Sequence, residues 1–152
     1  MKSVMEKEPE AASDFDKVME KWGEWLPEFI KGNHAPFKAL FSRKDDATLA
    51  NPFGSVARGW QEINKTIDHS IKQYRDGEMI GTEIMSKYVT PELAFLVEIA
   101  RFNARIGTRN DMTPVALRIT SIIRPEDGTW KIMHLQADPR VARQPAESII
   151  QQ

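Results

Sequence analysis

The sequence predicts an α+β domain in which three helices precede an antiparallel sheet, and three observations carry that prediction. Apolar residues recur at helical spacing in the first half, as in Phe15, Val18, Met19, Trp22, Leu26 and Phe29. From Met79 onward the period falls to 2, giving long extended runs. Short links with turn chemistry join those runs, so consecutive strands pair antiparallel as a meander. A chain of 152 residues suits a single domain with one core.

Taken in order, Met1 to Ala12 is polar and acidic and reads as a flexible arm; it lacks the apolar h-region of a signal peptide. The domain runs from 13 to 139. Ser13 is a suitable N-cap, with Asp14 and Asp16 placed for the helix dipole. Trp25 borders the apolar face, and Pro27 predicts a kink or restart, with the end at Gly32-Asn33. Pro36 opens a short second helix with Phe37, Leu40 and Phe41 on its apolar face. A short strand at Ala47 to Ala50 follows.

The chain then bends at Asn51-Pro52-Phe53-Gly54. Pro52 pushes Asn51 towards extended geometry, and Gly54 allows a turn that a Cβ resists. Asn51 is therefore either a pocket residue held on a bend or a turn residue bonded to its own backbone. The third helix carries Trp60, Ile63, Ile67, Ile71 and Tyr74 on one stripe and ends at Asp76-Gly77. Strands are expected over Met79 to Val89, Leu93 to Ile106, Pro114 to Arg124 and Thr129 to Asp138. Residues 140–152 form a polar tail with one apolar pair, Ile149-Ile150.

Composition narrows the function. The chain is 41% hydrophobic and 28% charged with a formal net charge of −1, which gives no electrostatic case for nucleic acid. It has no cysteine, which excludes disulfides, thiolate catalysis and cysteine-ligated zinc and fits the cytoplasm. No apolar run is long enough for a membrane span. No motif implies a cofactor, and no His/Asp/Glu spacing reads as a metal site.

Strand parity sorts the side chains. In the run from Val115 the odd residues Val115, Leu117, Ile119, Ser121 and Ile123 form the core face, with Ser121 its polar member. In the preceding run Phe95, Val97 and Ile99 share a face with Arg101 and Asn103. Either that face turns polar at one end of a pocket, or the strand leaves the core there. In the last strand Met133, Leu135 and Ala137 are expected inside. Trp130, Ile132 and His134 are then outside.

Element order from Phe15 to Pro139 and three motifs resemble the cystatin-like α+β cone superfamily. Its members include nuclear transport factor, ketosteroid isomerase, SnoaL-like cyclases and the kinase association domain. The motifs are Asp45 to Gly54, Arg58 to Ile63, and Asp127-Gly128-Thr129-Trp130-Lys131-Ile132-Met133-His134, which looks like a SnoaL-like strand. The resemblance implies a strongly curved antiparallel sheet and a ligand pocket. Where ketosteroid isomerase places its base, before Pro-Phe-Gly, this chain has Asn51; its two oxyanion groups fall on Trp25 and Ser121. An amide is no base at neutral pH, so isomerase-type proton shuttling is not expected. A pocket arginine of the association domain falls on Arg101.

The resulting expectation is a small-molecule-binding protein, or a weak isomerase, cyclase or lyase, for an apolar ligand with an acidic or carbonyl oxygen. Its pocket is expected to gather Trp22, Trp25, Phe29, Phe41, Asn51, Phe53, Trp60, Val97, Arg101, Asn103, Ser121 and Leu135. Catalytic candidates are Asn51, Arg101 and His34. The alternative is a non-catalytic association module. Its homodimer would use the outer sheet face, with Phe102, Arg118, Ile122, Trp130, Ile132 and His134.

Overall fold

The computed structural model describes residues 10–151. Helix α1 spans Glu10–Trp22, α2 Trp25–Phe29, α3 Ala35–Leu40 and α4 Trp60–Ile71. The strands are β1 Thr48–Ala50, β2 Val56–Arg58, β3 Tyr74–Val89, β4 Ala94–Ile106, β5 Thr113–Glu126 and β6 Thr129–Asp138. They form one sheet in the order β2-β1-β6-β5-β4-β3. The meander from β3 to β6 is antiparallel as expected, whereas β1 lies parallel to β6, so the sheet is mixed.

The helical half differs from expectation in three places. α1 is already helical at Glu10, so position 13 is inside the helix and not its N-cap; the rest of the expected arm, 1–9, lies outside the described residues. The break falls at Gly23-Glu24 rather than at Pro27. Pro27 is the third residue of α2, where the backbone N–H has no intrahelical partner to lose. α4 stops at Ile71, and Tyr74 opens β3 instead of closing the helix.

Beyond Asn51 the chain forms a strand that period reading missed. β2 pairs with β1 as a small hairpin, and Gly54 in its loop has the positive φ of +105° that the turn demands. Asp76-Gly77, expected to end a helix, instead sits in a register shift between Arg75 and Glu78. Gly77 lies directly against α2 and its C-terminal turn: its N–H donates to the Ile30 carbonyl at 3.0 Å.

Two face assignments reverse. On β4 the buried set is Ala94, Leu96, Glu98, Ala100, Phe102 and Ala104. The register explains it: Leu96, Glu98 and Ala100 stand opposite Ser121, Ile119 and Leu117, the core face of β5. Phe95, Val97, Ile99, Arg101 and Asn103 therefore occupy the outer face. On β6 a bulge lies between the pairs Ile122–His134 and Ile123–Ile132, leaving Met133 as the extra residue. Parity changes across it, so Leu135 and Ala137 are buried on one side and Ile132 and Trp130 on the other. Trp130 meets Phe15 of α1 edge-on at 5.5 Å. The six expected interface residues are thus split. Phe102, Trp130 and Ile132 are core, while Arg118, Ile122 and His134 remain on the outer face.

Candidate functional site

Between the helices and the sheet lies a cavity of about 40 Å³. α2 and α3 supply Trp25, Phe29 and Phe37, and the sheet supplies Leu117, Ile119 and Leu135. Trp25 and Phe37 stack at 4.1 Å, and Phe29 meets Tyr74 edge-on at 5.6 Å. The polar side chains come from the β1 end, from α4 and from the start of β3: Asn51, Ser70 and Tyr74.

Asn51 holds both roles that its sequence position allowed. Its Oδ1 accepts the Phe53 N–H at 2.9 Å, fixing the turn, and its Nδ2 donates to Ser70 Oγ at 2.9 Å. Because Ser70 Oγ accepts that bond, its own proton is left to donate. Tyr74 is 6% exposed, and burial pushes its phenol up to about 12, so it stays a neutral donor throughout the physiological range. On the solvent side Asn51 also borders a surface groove with Lys65 and His69 in its wall.

Trp25, Phe29, Asn51 and Leu135 line the cavity as expected. The other expected pocket residues are elsewhere. Phe41 is fully buried in the core without reaching the cavity, and Ser121 is fully buried with its Oγ unpartnered. Trp60 lies under the Arg43 guanidinium, 3.3 Å from ring centroid to Cζ. Phe53 is half exposed at the rim, with its ring 5.9 Å from that of Tyr74. Val97, Arg101 and Asn103 face away, because β4 presents its other parity to the helices. The Arg101 side chain is 48% exposed and approaches Glu83 at 3.8 Å, so the expected pocket arginine is a surface residue. His34 precedes α3 and stands 3.7 Å from Asp68, which Lys38 also holds at 2.6 Å. It does not reach the cavity wall.

Sequence reasoning missed Ser70, Tyr74 and Glu98. Ser70 was available as the next step on the Ile63-Ile67 stripe. Glu98 was available as the one carboxylate within the alternation Leu96, Ala100, Phe102. Trp22, expected in the same pocket, lines a neighbouring cavity of about 260 Å³ with Glu98. Trp25 and Leu26 belong to the walls of both.

On the outer face His134 shares a 2.7 Å hydrogen bond with Thr48, and partial burial lowers its pKa. Arg118 makes a two-pronged contact to Asp138 at 2.8 and 3.1 Å. Among the described residues no cluster of three His, Asp or Glu suits a metal ion, and no helix is long and apolar enough to cross a membrane.

The SnoaL-like domain profile matches residues 12–139. The chain belongs to the SnoaL-like family. No curated protein matches it in sequence. Among solved structures it is similar to a ketosteroid isomerase-like protein from Erwinia carotovora atroseptica, with 16% identity and a TM-score of 0.69, covering 90% of this chain and 100% of that one. A nuclear transport factor 2-like protein from Salmonella enterica gives 16% identity and a TM-score of 0.70, covering 90% and 97%. A candidate dehydratase of the same superfamily from Streptomyces avermitilis gives 14% identity and a TM-score of 0.71, covering 86% and 99%. At such identities the likeness establishes the fold, and the expected α+β class with a nuclear transport factor-like, cystatin-like architecture stands. Activity does not follow from fold.

Proposed function

We propose that this SnoaL-like protein binds a small apolar molecule bearing a carbonyl or acidic oxygen in the cavity between α2, α3, α4 and the sheet. The observation that carries the reading is the wall chemistry: largely aromatic and aliphatic, with the hydrogen-bonded Asn51 and Ser70 and the Tyr74 phenol as its polar members. Ser70 and Tyr74 are neutral donors, which suits an oxygen that carries partial or full negative charge. None of the residues in the wall takes up a proton at neutral pH, so any isomerase, cyclase or lyase chemistry here relies on polarisation rather than on an internal base. The resting volume suits only a few waters. A larger occupant requires Trp25, Phe29 and Phe37 to part.

A thermal-shift screen of small cyclic ketones and aryl carboxylic acids tests this reading. Hits should be weakened in Tyr74→Phe and Asn51→Ala and unaffected by Arg101→Met. Ligands that bind all three variants equally well would refute it.

A second reading, an association module, draws on the outer sheet face. There Tyr88, 58% exposed, stacks on Phe95 at 5.8 Å, and Phe95 stands opposite Ile122 on β5. We propose a homodimer through this strip, with Arg118 and His134 beside it. Sedimentation of Ile122→Glu against the unmodified chain at micromolar concentration tests it: a lower mass for the variant is expected, and a monomer in both cases removes the reading.

A further inference from the structure

Glu98 lies outside the cavity just described, on the helix-facing side of β4, partway along the strand that neighbours the β3 edge. It is 9% exposed and, among the described residues, has neither a hydrogen bond nor an ion pair. It lines the cavity of about 260 Å³ that α1, α2, β3 and β4 border. α1 contributes Met19 and Trp22, α2 Trp25, and β3 Met79, Thr82 and Ile84. None of these carries an ionisable group, so among the described residues nothing in the wall neutralises the carboxylate. The Trp22 indole Nε1 is also buried without a partner. Burial lifts the Glu98 carboxyl to about 7, the behaviour of a carboxylate stripped of water and given no cation in return.

A buried carboxylate is costly unless it is paired. Here, among the described residues, the pairing is left open in a cavity large enough for an organic molecule, and two indole rings belong to the wall. An ammonium ion gains from both features, since it pairs with the carboxylate and is attracted to the face of an indole. A neutral ligand gains from neither. We propose that the Glu98 cavity is a binding site for an apolar organic ammonium ion, with Glu98 as its counter-ion and Trp22 and Trp25 as its aromatic walls. This inference does not depend on the cavity at Asn51, because Glu98 contributes nothing to that wall.

The test is calorimetric titration of the full chain with 2-phenylethylamine and with its neutral isostere 2-phenylethanol. The amine should bind more tightly than the alcohol. With a carboxyl titrating near 7, its affinity should rise about tenfold between pH 6 and pH 8, since the ionised fraction rises by that factor. Affinity for the alcohol should stay flat. Glu98→Gln should erase the preference for the amine while leaving affinity for the alcohol in place, in a chain that still unfolds cooperatively. The indole N–H resonance of Trp22, assigned by Trp22→Phe, should shift on titration. An amine that binds no better than the alcohol, binds without pH dependence, or binds Glu98→Gln equally well would overturn the proposal. The ketone and acid hits of the thermal-shift screen would be untouched by that failure.

Discussion

The side-chain amide of Asn51 spans from the β1 turn to helix α4, donating to Ser70 Oγ at 2.9 Å while its oxygen accepts the Phe53 N–H. One residue thus fixes the loop and joins it to the cavity wall. Asn51→Ala removes both bonds and should cost about 1–2 kcal/mol in chemical denaturation. Ser70→Ala should cost about 1 kcal/mol, and the double variant less than the sum, because the two changes delete the same bond. Full additivity would mean that the amide and the hydroxyl do not interact in solution.

Tyr74 connects three rings, with centroids 5.6 Å from Phe29, 5.9 Å from Phe53 and 6.0 Å from Phe102. Tyr74→Phe keeps that packing and deletes only the hydroxyl, so stability should change by less than about 1 kcal/mol. Affinity for a ketone or acid ligand should fall about tenfold, the loss of one hydrogen bond of about 1.4 kcal/mol. In a Tyr88→Phe background, ultraviolet titration follows Tyr74 alone and should place its ionisation near 12. Ionisation at the ordinary tyrosine value would show the phenol to be solvated.

Glu98 reverses the usual carboxylate effect on stability. Its pKa is raised from 4.5 to about 7, so the folded chain holds the proton more tightly than the unfolded chain does. Its contribution is complete below 4.5 and is lost as pH rises to about 7, by at most about 3 kcal/mol. His134 works in the opposite sense: its pKa is lowered from 6.5, so stability is gained as pH rises towards that value. Urea unfolding of Glu98→Gln against the unmodified chain from pH 4 to 8 separates them. The difference between the two proteins should grow in favour of Glu98→Gln as pH rises. A constant difference would show that Glu98 is solvated.

How much of this was legible in the sequence depended on how many neighbours each feature needed. The long strands were readable from their own alternation, and the core face of β5 followed from Leu117, Ile119 and Ile123 alone. β4 defeated the same logic. Its outer residues Phe95, Val97 and Ile99 are bulkier than the core residues Ala94 and Ala100, which leave room for the helices. Only the register with β5 resolves which parity is inside, and register is a property of two strands. Arg101 was misplaced for that reason. Tyr74 was misread because no Gly or Pro separates α4 from β3, so the helical stripe ran on past its end. The cavity at Asn51 was half legible: the bend announced itself, whereas Ser70 and Tyr74 reach it only through packing.

At Gly77 the sheet comes close against the turn that follows α2. A Cβ built there would stand 2.4 Å from Ile30 Cγ1 and 2.7 Å from the Ile30 carbonyl oxygen, and the latter is backbone that cannot swing aside. Gly77→Ala should therefore destabilise by about 1–3 kcal/mol, the usual range for overpacking. Ile30→Ala removes the clashing Cγ1 but keeps Cβ and the carbonyl, so the double variant should recover only part of the loss. An unchanged denaturation midpoint in Gly77→Ala would place the bulge away from α2.

The bulge at Met133 makes the sharpest prediction, because it decides whether Trp130 is core or surface. An unbroken alternation from Leu135 and Ala137 would put Trp130 on the outer face beside His134. The extra residue reverses parity, and Trp130 is 4% exposed against Phe15. Trp130→Ala should then cost about 3–5 kcal/mol, the loss for a large buried aromatic. His134→Ala removes one partly buried hydrogen bond to Thr48 and should cost about 1 kcal/mol. The ratio of the two is the diagnostic, since it cancels errors common to both unfolding curves. In the bulged register Trp130 dominates. In the unbulged one both residues are peripheral and their costs are similar, both small in a monomer. Denaturation of both variants at low protein concentration, where association cannot contribute, separates the two registers.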